Sequence, residues 1–285
     1  MEGDLVVRKV FIDSRFRAEG EHEDLIFNLP QMIECVPGTV AYIDEITVPH
    51  SWTSIGDGNR YLYLAERILG PTTVIPDTYV IRRLDIPFGN YDGYQYKAAL
   101  TTALNTNLHA GVSATYTVDY NPNTHKCTIT APGIVEIHFL TDREIELNDL
   151  AHYLISKNNA KSGNGTIRNL GGGVETNAQN YSYSSTFETG FLDFLRVHNL
   201  YVFSNLAANL NTIGPNGQTG ILAKCPVNQS YGTTIHERIS SGHDYVDIGR
   251  QSLSQIKLSL RDAYSNLINL EKASWSCTIC FRIKE

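Results

Sequence analysis

Runs of alternating apolar and polar residues, separated by turn-forming residues, occupy both ends of the chain. One run near the C-terminus places apolar residues at every second position, namely Trp275, Cys277, Ile279, Phe281 and Ile283. A period of two with one apolar face predicts a strand that lies on a core. Ile256, Leu258 and Leu260 alternate in the same way, and a turn-like segment, 262–266, separates the two runs. We therefore expect these two strands to form an antiparallel pair.

The middle of the chain has a different period. Apolar residues that include Tyr94, Leu100 and Leu104 recur at helical spacing and predict a helix over about 94–108. The elements predicted after it are strands over 115–120, 127–129 and 135–139, a helix over 147–157 and a glycine-rich loop over 162–173.

The spacing of turn residues indicates the fold class. The chain contains 22 Gly and 10 Pro, and these punctuate short runs rich in Val, Ile, Thr, Tyr and Phe. Many short strands at this spacing are typical of an all-β sandwich or barrel. We therefore predict an all-β domain over 1–86 and 189–285, interrupted by an inserted α+β domain over 87–188.

Composition and charge exclude several classes of protein. The 285 residues carry 23 Lys and Arg against 30 Asp and Glu, a net charge of −7, so direct nucleic-acid binding is not expected. No apolar run approaches the roughly 20 residues of a membrane span. The acidic start of the chain does not resemble a secretory signal. Five cysteines, an odd number, favour reduced thiols inside a cell over a disulfide framework.

None of the motifs that suggest catalysis or metal binding has the residue spacing that such a site requires. Cys277 and Cys280 form a C-x-x-C motif, but on an alternating strand their side chains leave opposite faces, so we expect Cys277 in the core and Cys280 at the surface or rim. His236-Glu237 and His243-Asp244 lack the helical zincin spacing, although a cupin-like metal site remains an alternative. The glycine-rich segment 163–173 lacks the Lys-Ser/Thr of a phosphate-binding loop. No catalytic, cofactor-binding or metal-ligating residue is predicted, so the chain is not expected to be an enzyme.

Tyrosine is abundant in the predicted insertion. These residues are Tyr91, Tyr94, Tyr96, Tyr116, Tyr120, Tyr181 and Tyr183. Tyrosine combines apolar area with a polar tip, which suits a recognition surface. Packing within the small core of the insertion is an equally good interpretation, and the sequence leaves both open.

Several phrases occur in an order that resembles one protein family. They are Val10–Arg15, Phe27–Pro30, Ile46–Trp52, Ile86–Tyr91 with Leu100 and Leu104-Asn105, Val197–Ser204, Ile221–Val227 with Gly232, and the closing segment to Trp275. This ordered set, which spans nearly the whole chain, is similar to the penton (minor capsid) proteins of virophages and of the related Polinton and adintovirus elements. Two positions depart from the family pattern: Ser265 replaces an expected Gly, and Cys225 replaces an expected aliphatic residue.

The resemblance implies both a fold and a role. It implies an eight-stranded single jelly roll with an outward-facing insertion between two strands, and no catalytic residues. It also implies homopentamers at the fivefold vertices of an icosahedral virion assembled inside the host cell, beside double jelly-roll trimers of a major capsid protein. The insertion is a candidate contact for a host receptor or glycan. The alternatives are a jelly-roll carbohydrate-binding module and a cupin-type metalloenzyme.

Overall fold

The computed structural model describes residues 8–56, 59–70, 76–110, 112, 115–148, 178–207, 212–238 and 245–283. The chain divides into two compact units. The first unit contains Met1–Trp52 and Val197–Glu285, and the second contains Thr53–Arg196.

Strands dominate the part of the chain that the structure describes. In chain order they are β1 (Arg8–Asp13), β2 (Glu19–Gly20), β3 (Asp24–Glu34), β4 (Thr39–Pro49), β5 (Tyr61–Ile68), β6 (Thr78–Asp85), β7 (Thr117–Asn121), β8 (Lys126–Thr130), β9 (Val135–Phe139), β10 (Thr186–Glu188), β11 (Asn199–Ser204), β12 (Ile221–Pro226), β13 (Thr234–Arg238), β14 (Val246–Asp247), β15 (Ser252–Arg261) and β16 (Ser276–Ile283). The α-helices are α1 (Gly93–Asn105) and α2 (Asp142–Leu147). Short 3-10 turns occupy Ser14–Phe16, Ala178–Asn180 and Asn205–Ala207.

The first unit is a jelly roll. One antiparallel sheet has the order β1-β16-β4-β13, with the two-residue β14 also paired to β4. The other has the order β12-β11-β15-β3, with the two-residue β2 at its edge. The eight longer strands enter the two sheets in the chain order that defines a jelly roll, which confirms the predicted fold class.

The two C-terminal strands exist as predicted, but the prediction that they pair with each other is wrong. β15 pairs with β11 and β3, whereas β16 pairs with β1 and β4 in the other sheet. The turn does form at 262–266, where the Asp262 carboxylate accepts from the backbone N–H groups of Tyr264 and Asn266. The chain then continues to Trp275 before it enters the second sheet. Alternation shows which face a strand buries but not which strand lies beside it.

The second unit is an α+β structure built around its own core. Its sheets have the orders β6-β5-β9 and β10-β8-β7. Helix α1 begins at a capping box formed by Asp92 and Gln95, and it buries Tyr96, Leu100 and Leu104 in this core. The predicted helix at 94–108 and the three strands predicted after it are therefore confirmed.

The helix predicted over 147–157 falls almost entirely outside the described residues and stays a prediction. The structure has α2 at Asp142–Leu147, and residues 149–157 lie outside the described residues. Thr141 and Glu144 form a capping box, which fixes the start of α2. The glycine-rich loop predicted over 162–173 also lies outside the described residues.

The boundaries of the insertion differ from the predicted 87 and 188. The second unit runs from Thr53 to Arg196, so the chain leaves the jelly roll after β4 and returns to it at β11. The early boundary arises because β5 pairs with β6 along its whole length and with β9 on its other side. Sequence periodicity assigned β5 and β6 to the jelly roll because an isolated strand pattern does not reveal its partner.

Trp275 joins the two sheets of the jelly roll at one corner. Its backbone N–H donates to the Ser14 hydroxyl over 2.9 Å, at the end of β1. Its indole N–H donates to the carbonyl of His22 over 2.5 Å, between β2 and β3 of the other sheet. The Ser14 hydroxyl also shares a hydrogen bond with Nδ1 of His22 over 2.8 Å. Trp275 therefore links an element of each sheet, through its backbone N–H to Ser14 and through its indole N–H to the His22 carbonyl.

We expect Trp275→Phe to lower the free energy of unfolding by about 1–3 kcal/mol more than the matched change Trp52→Phe. Both indoles are buried, but the Trp52 N–H has no partner among the described residues. Only the change at Trp275 therefore leaves a carbonyl, that of His22, without its hydrogen-bond donor. Urea unfolding measures the difference. Equal losses in the two variants would contradict a bridging role for the indole.

Ser265 has a left-handed backbone, with φ of +73°, at the position where a glycine is expected. Its hydroxyl is buried without a partner among the described residues. We expect Ser265→Gly to raise the free energy of unfolding by about 0.5–1 kcal/mol, because glycine adopts positive φ without strain. The control is Ser252→Gly, at an exposed strand position that pairs with Glu34, which we expect to destabilise. Thermal unfolding tests this, and a lowered midpoint for Ser265→Gly would refute it.

Candidate assembly and recognition surfaces

The histidine and cysteine motifs do not come together as a metal centre. Among the residues that the structure describes, no group of three or more His, Cys, Asp or Glu could hold a metal ion. His236 is exposed on β13, and its Nδ1 lies 2.9 Å from the Thr47 hydroxyl on the neighbouring β4. His243 and Asp244 lie outside the described residues, as does the segment 163–173.

All five cysteines are free thiols and all five are buried. Cys277 lies in the core as predicted, but the prediction of Cys280 at the surface or rim is wrong, since it is fully buried. The reason is that β16 lies between β1 and β4, so longer side chains such as Tyr42 cover the small residues on its outer face. Burial raises the pKa of the thiols of Cys225 and Cys277 to about 12.

The buried carboxylate of Glu66, on β5, accepts hydrogen bonds from side chains of the same unit. Glu66 accepts from Arg82 over 2.8 Å and from the Tyr116 hydroxyl. Arg82 also donates to the carbonyls of Leu104 and Thr106 at the end of α1. Burial, together with the hydrogen bond to Glu66, raises the pKa of Tyr116. This network fastens α1 to the hairpin.

A second buried carboxylate also has a structural role. Glu144 accepts from the Thr141 N–H over 2.6 Å as part of the α2 capping box. Both of its carboxylate oxygens lie 3.3 Å from Nε2 of His138, whose ring stacks on Tyr181 at 4.6 Å between centroids.

The jelly-roll unit carries an apolar surface at the edge formed by β1. Phe11 is 70% exposed and Phe16 is 73% exposed. Beside them lies an open groove of about 430 Å³, which is also lined by Phe27 and by Glu45 and Thr47 of β4. In the described sheet β1 pairs with β16 alone, so its outer edge presents unpaired backbone groups next to these rings. Large exposed apolar side chains at a sheet edge are typical of an interaction surface.

The tyrosines of the second unit divide between core and surface. Tyr96, Tyr116 and Tyr181 are buried, and Tyr91, Tyr120 and Tyr183 are partly buried. Tyr94 is 61% exposed, so packing explains the buried tyrosines, and a recognition surface stays a prediction for the exposed one.

Tyr94 belongs to an aromatic row on the surface of the second unit, which consists of Tyr94, Tyr120, His125 and Phe191. Successive ring centroids lie 5.2, 6.3 and 5.5 Å apart, and Phe191 is 60% exposed. The Tyr120 hydroxyl lies 3.0 Å from Nδ1 of His125. Gly93 is required here, since a Cβ at that position would lie 2.0 Å from the Tyr120 ring.

We expect the native protein to react slowly with a thiol reagent such as 5,5′-dithiobis(2-nitrobenzoate) and to release five thiols after denaturation in guanidinium. Burial excludes the reagent and, by raising the thiol pKa, keeps the thiolate fraction small at pH 8. Ser254→Cys, at an exposed position, supplies the positive control for rapid labelling. Rapid modification of Cys280 in the native protein would show that it lies at the rim after all.

No helix among the described residues combines the length and the hydropathy that crossing a bilayer requires.

Neither protein-family models nor curated protein sequences match the chain. Among solved structures, the mavirus penton protein is similar over 98% of this chain and 99% of its own, with a TM-score of 0.52 and 13% sequence identity. A chain of the Sputnik virophage particle, solved by cryo-EM, covers 99% of each chain with a TM-score of 0.48 and 16% identity. The chain therefore has the fold of the mavirus penton protein, a jelly roll interrupted by an inserted unit.

Proposed function

We propose that the chain is a structural capsid protein of the virophage penton type, which forms homopentamers at the fivefold vertices of an icosahedral virion. The observation that carries this proposal is the likeness to the mavirus penton protein over both units, not over the jelly roll alone. In this proposal the inserted unit faces outward, assembly takes place in the host cell, and the neighbours are double jelly-roll trimers of a major capsid protein.

The positions of the family-like phrases support the proposal. Val10–Arg15 contains most of β1 and continues into the 3-10 turn that follows it, and Ile46–Trp52 contains the end of β4, where the chain leaves the jelly roll. Val197–Ser204 contains β11, where the chain returns, and Ile221–Val227 contains β12. Ile86–Tyr91 leads into α1. The phrases therefore coincide with the strands that frame the insertion and with the start of its helix.

A ring of five requires two different, complementary surfaces on each copy. The jelly-roll topology provides two candidate edges, one with β1 and β3 and the other with β13 and β12. Phe11 and Phe16 are exposed at the first edge. Ile213 precedes β12 and Tyr231 lies between β12 and β13, and both are exposed near the second edge. We propose that the first edge of one copy packs against the second edge of the next.

The buried polar groups support a role without catalysis. The carboxylates of Glu66 and Glu144 are occupied by structural partners, and the buried thiols of the cysteines favour the protonated form. The net charge of −7 argues against direct contact with packaged DNA.

A carbohydrate-binding module is the second candidate function, and the aromatic row of the second unit is the observation that favours it. Exposed aromatic rings can stack against the face of a sugar, and the tyrosine hydroxyl and histidine nitrogen beside them can form hydrogen bonds with it. Trp52 and Trp275 are both buried, so neither provides such a platform. The third alternative, a cupin-type metalloenzyme, predicts a stoichiometric metal, and elemental analysis of the purified protein tests it.

We expect native mass spectrometry and multi-angle light scattering to detect pentamers whose fraction rises with protein concentration. The double variant Phe11→Ser/Phe16→Ser should weaken this association at least about tenfold, because burial of each ring contributes about 1.5–3 kcal/mol. The matched control is Tyr94→Ser/Phe191→Ser, which removes two similarly exposed rings from the second unit and should leave assembly unchanged.

A protein that stays monomeric at high concentration and is missing from the vertices of a particle reconstruction would overturn the proposed function. Pentamers that form equally well in the Phe11→Ser/Phe16→Ser variant would overturn only the assignment of the β1 edge.

A further inference from the structure

An arginine-aromatic stack lies at one end of the β5–β6 hairpin in the second unit, and it consists of Arg60, Tyr61, Arg83 and Phe88. The guanidinium carbon of Arg60 lies 4.4 Å from the centroid of the Phe88 ring and 5.0 Å from that of Tyr61. The guanidinium carbon of Arg83 lies 4.5 Å from the Tyr61 ring. Two cations therefore share one aromatic ring on a chain whose net charge is negative.

The two arginines differ in their partners. Arg83 forms an ion pair with Asp85 over 3.0 Å, which offsets its charge. Arg60 donates no hydrogen bond and forms no ion pair with any residue that the structure describes, and its Nε is buried without a partner. Of the three guanidinium nitrogens only Nε is enclosed, so the donors that an incoming acceptor can reach are those on the two terminal nitrogens. Within the described ranges, no acceptor therefore takes up the donors of this guanidinium.

The backbone around the stack is held in place before any ligand arrives. The Ile86 N–H donates to the Arg60 carbonyl over 2.9 Å. Ile55 and Gly89 exchange two backbone hydrogen bonds of 3.0 and 3.2 Å. The Tyr91 hydroxyl donates to the Pro87 carbonyl over 2.8 Å. These bonds fix both sides of Phe88, so the ring and the guanidinium that stacks on it are pre-organised, which lowers the entropy cost of binding.

The chemistry of this site selects an anion attached to an apolar surface. A planar guanidinium pairs with carboxylate or sulfate oxygens through two parallel hydrogen bonds. Phe88 remains 53% exposed, so part of its ring is open to a second group. A pyranose ring with an acidic substituent meets both requirements, since its C–H face packs on an aromatic ring while its anionic group reaches the guanidinium.

We propose that Arg60 and Phe88 form a binding site for an acidic saccharide, in which Arg60 holds the carboxylate or sulfate group and Phe88 packs against the sugar ring. This site is distinct from the β1 edge and from the aromatic row, and binding to it does not require assembly.

The test is isothermal titration of the full chain with 3′-sialyllactose, 3′-sulfolactose and neutral lactose. We expect one or both acidic sugars to bind at least about tenfold more tightly than lactose. Arg60→Gln should lose this preference, and Phe88→Leu should weaken binding of the acidic sugar. The matched control Arg143→Gln, on an exposed arginine of α2, should bind like the unmodified protein.

The second variant is Arg60→Lys, which keeps the charge but removes the planar donor pair, so we expect it to bind weakly while it folds normally. Equal affinity for acidic and neutral sugars, or unchanged binding by Arg60→Gln and Arg60→Lys, would overturn the proposal. Tighter binding to a glutamate-rich peptide than to either acidic sugar would also overturn it, since the ligand would then be a peptide. Native mass spectrometry of the same samples reports on assembly separately, so failure of this site is distinguishable from failure of the proposed function.

Discussion

Pairing between the two ends of the chain is the interaction on which the jelly roll depends. β16 lies between β1 and β4, so the last strand completes a sheet that contains the first. Trp275 then ties this sheet to the other through Ser14 and the His22 carbonyl. Because the pairing of β16 with β1 and the two hydrogen bonds of Trp275 join residues more than 250 positions apart, the sheet can close only after the whole intervening chain has been made.

The intervening unit is compatible with this closure because it builds its own core and pairs its buried carboxylates internally. The β5 strand pairs with both β6 and β9, and α1 buries its apolar face against the same unit. The Glu66, Arg82 and Tyr116 network neutralises the buried charge and fastens the end of α1. A loop between two jelly-roll strands can carry such a unit because connections tolerate insertions better than strands do.

The buried carboxylates of this protein have structural partners and its thiols are buried, whereas several aromatic rings and a guanidinium reach the surface. Its most buried carboxylates act as partners of an arginine, a tyrosine and a helix cap, and its thiols are enclosed. Groups exposed at the surface of the described residues include the rings at the β1 edge, the aromatic row, and the guanidinium that stacks on Phe88. The proposed role in a shell depends on surfaces of this kind.

The sequence by itself determined which faces are buried, where α1 lies, and that an α+β segment interrupts a β domain. It could do so because the periods of strands and helices are local properties that a short window contains. Only the tertiary structure decided that β15 and β16 lie in different sheets, that β5 and β6 belong to the insertion, and that Cys280 is covered. The stack of Arg60 on Phe88 was also beyond sequence reasoning, because 28 positions separate the two residues and no motif links them. Each of these outcomes depends on a contact between residues that are far apart in the sequence. The local pattern of apolar and polar residues does not indicate which distant residues come into contact.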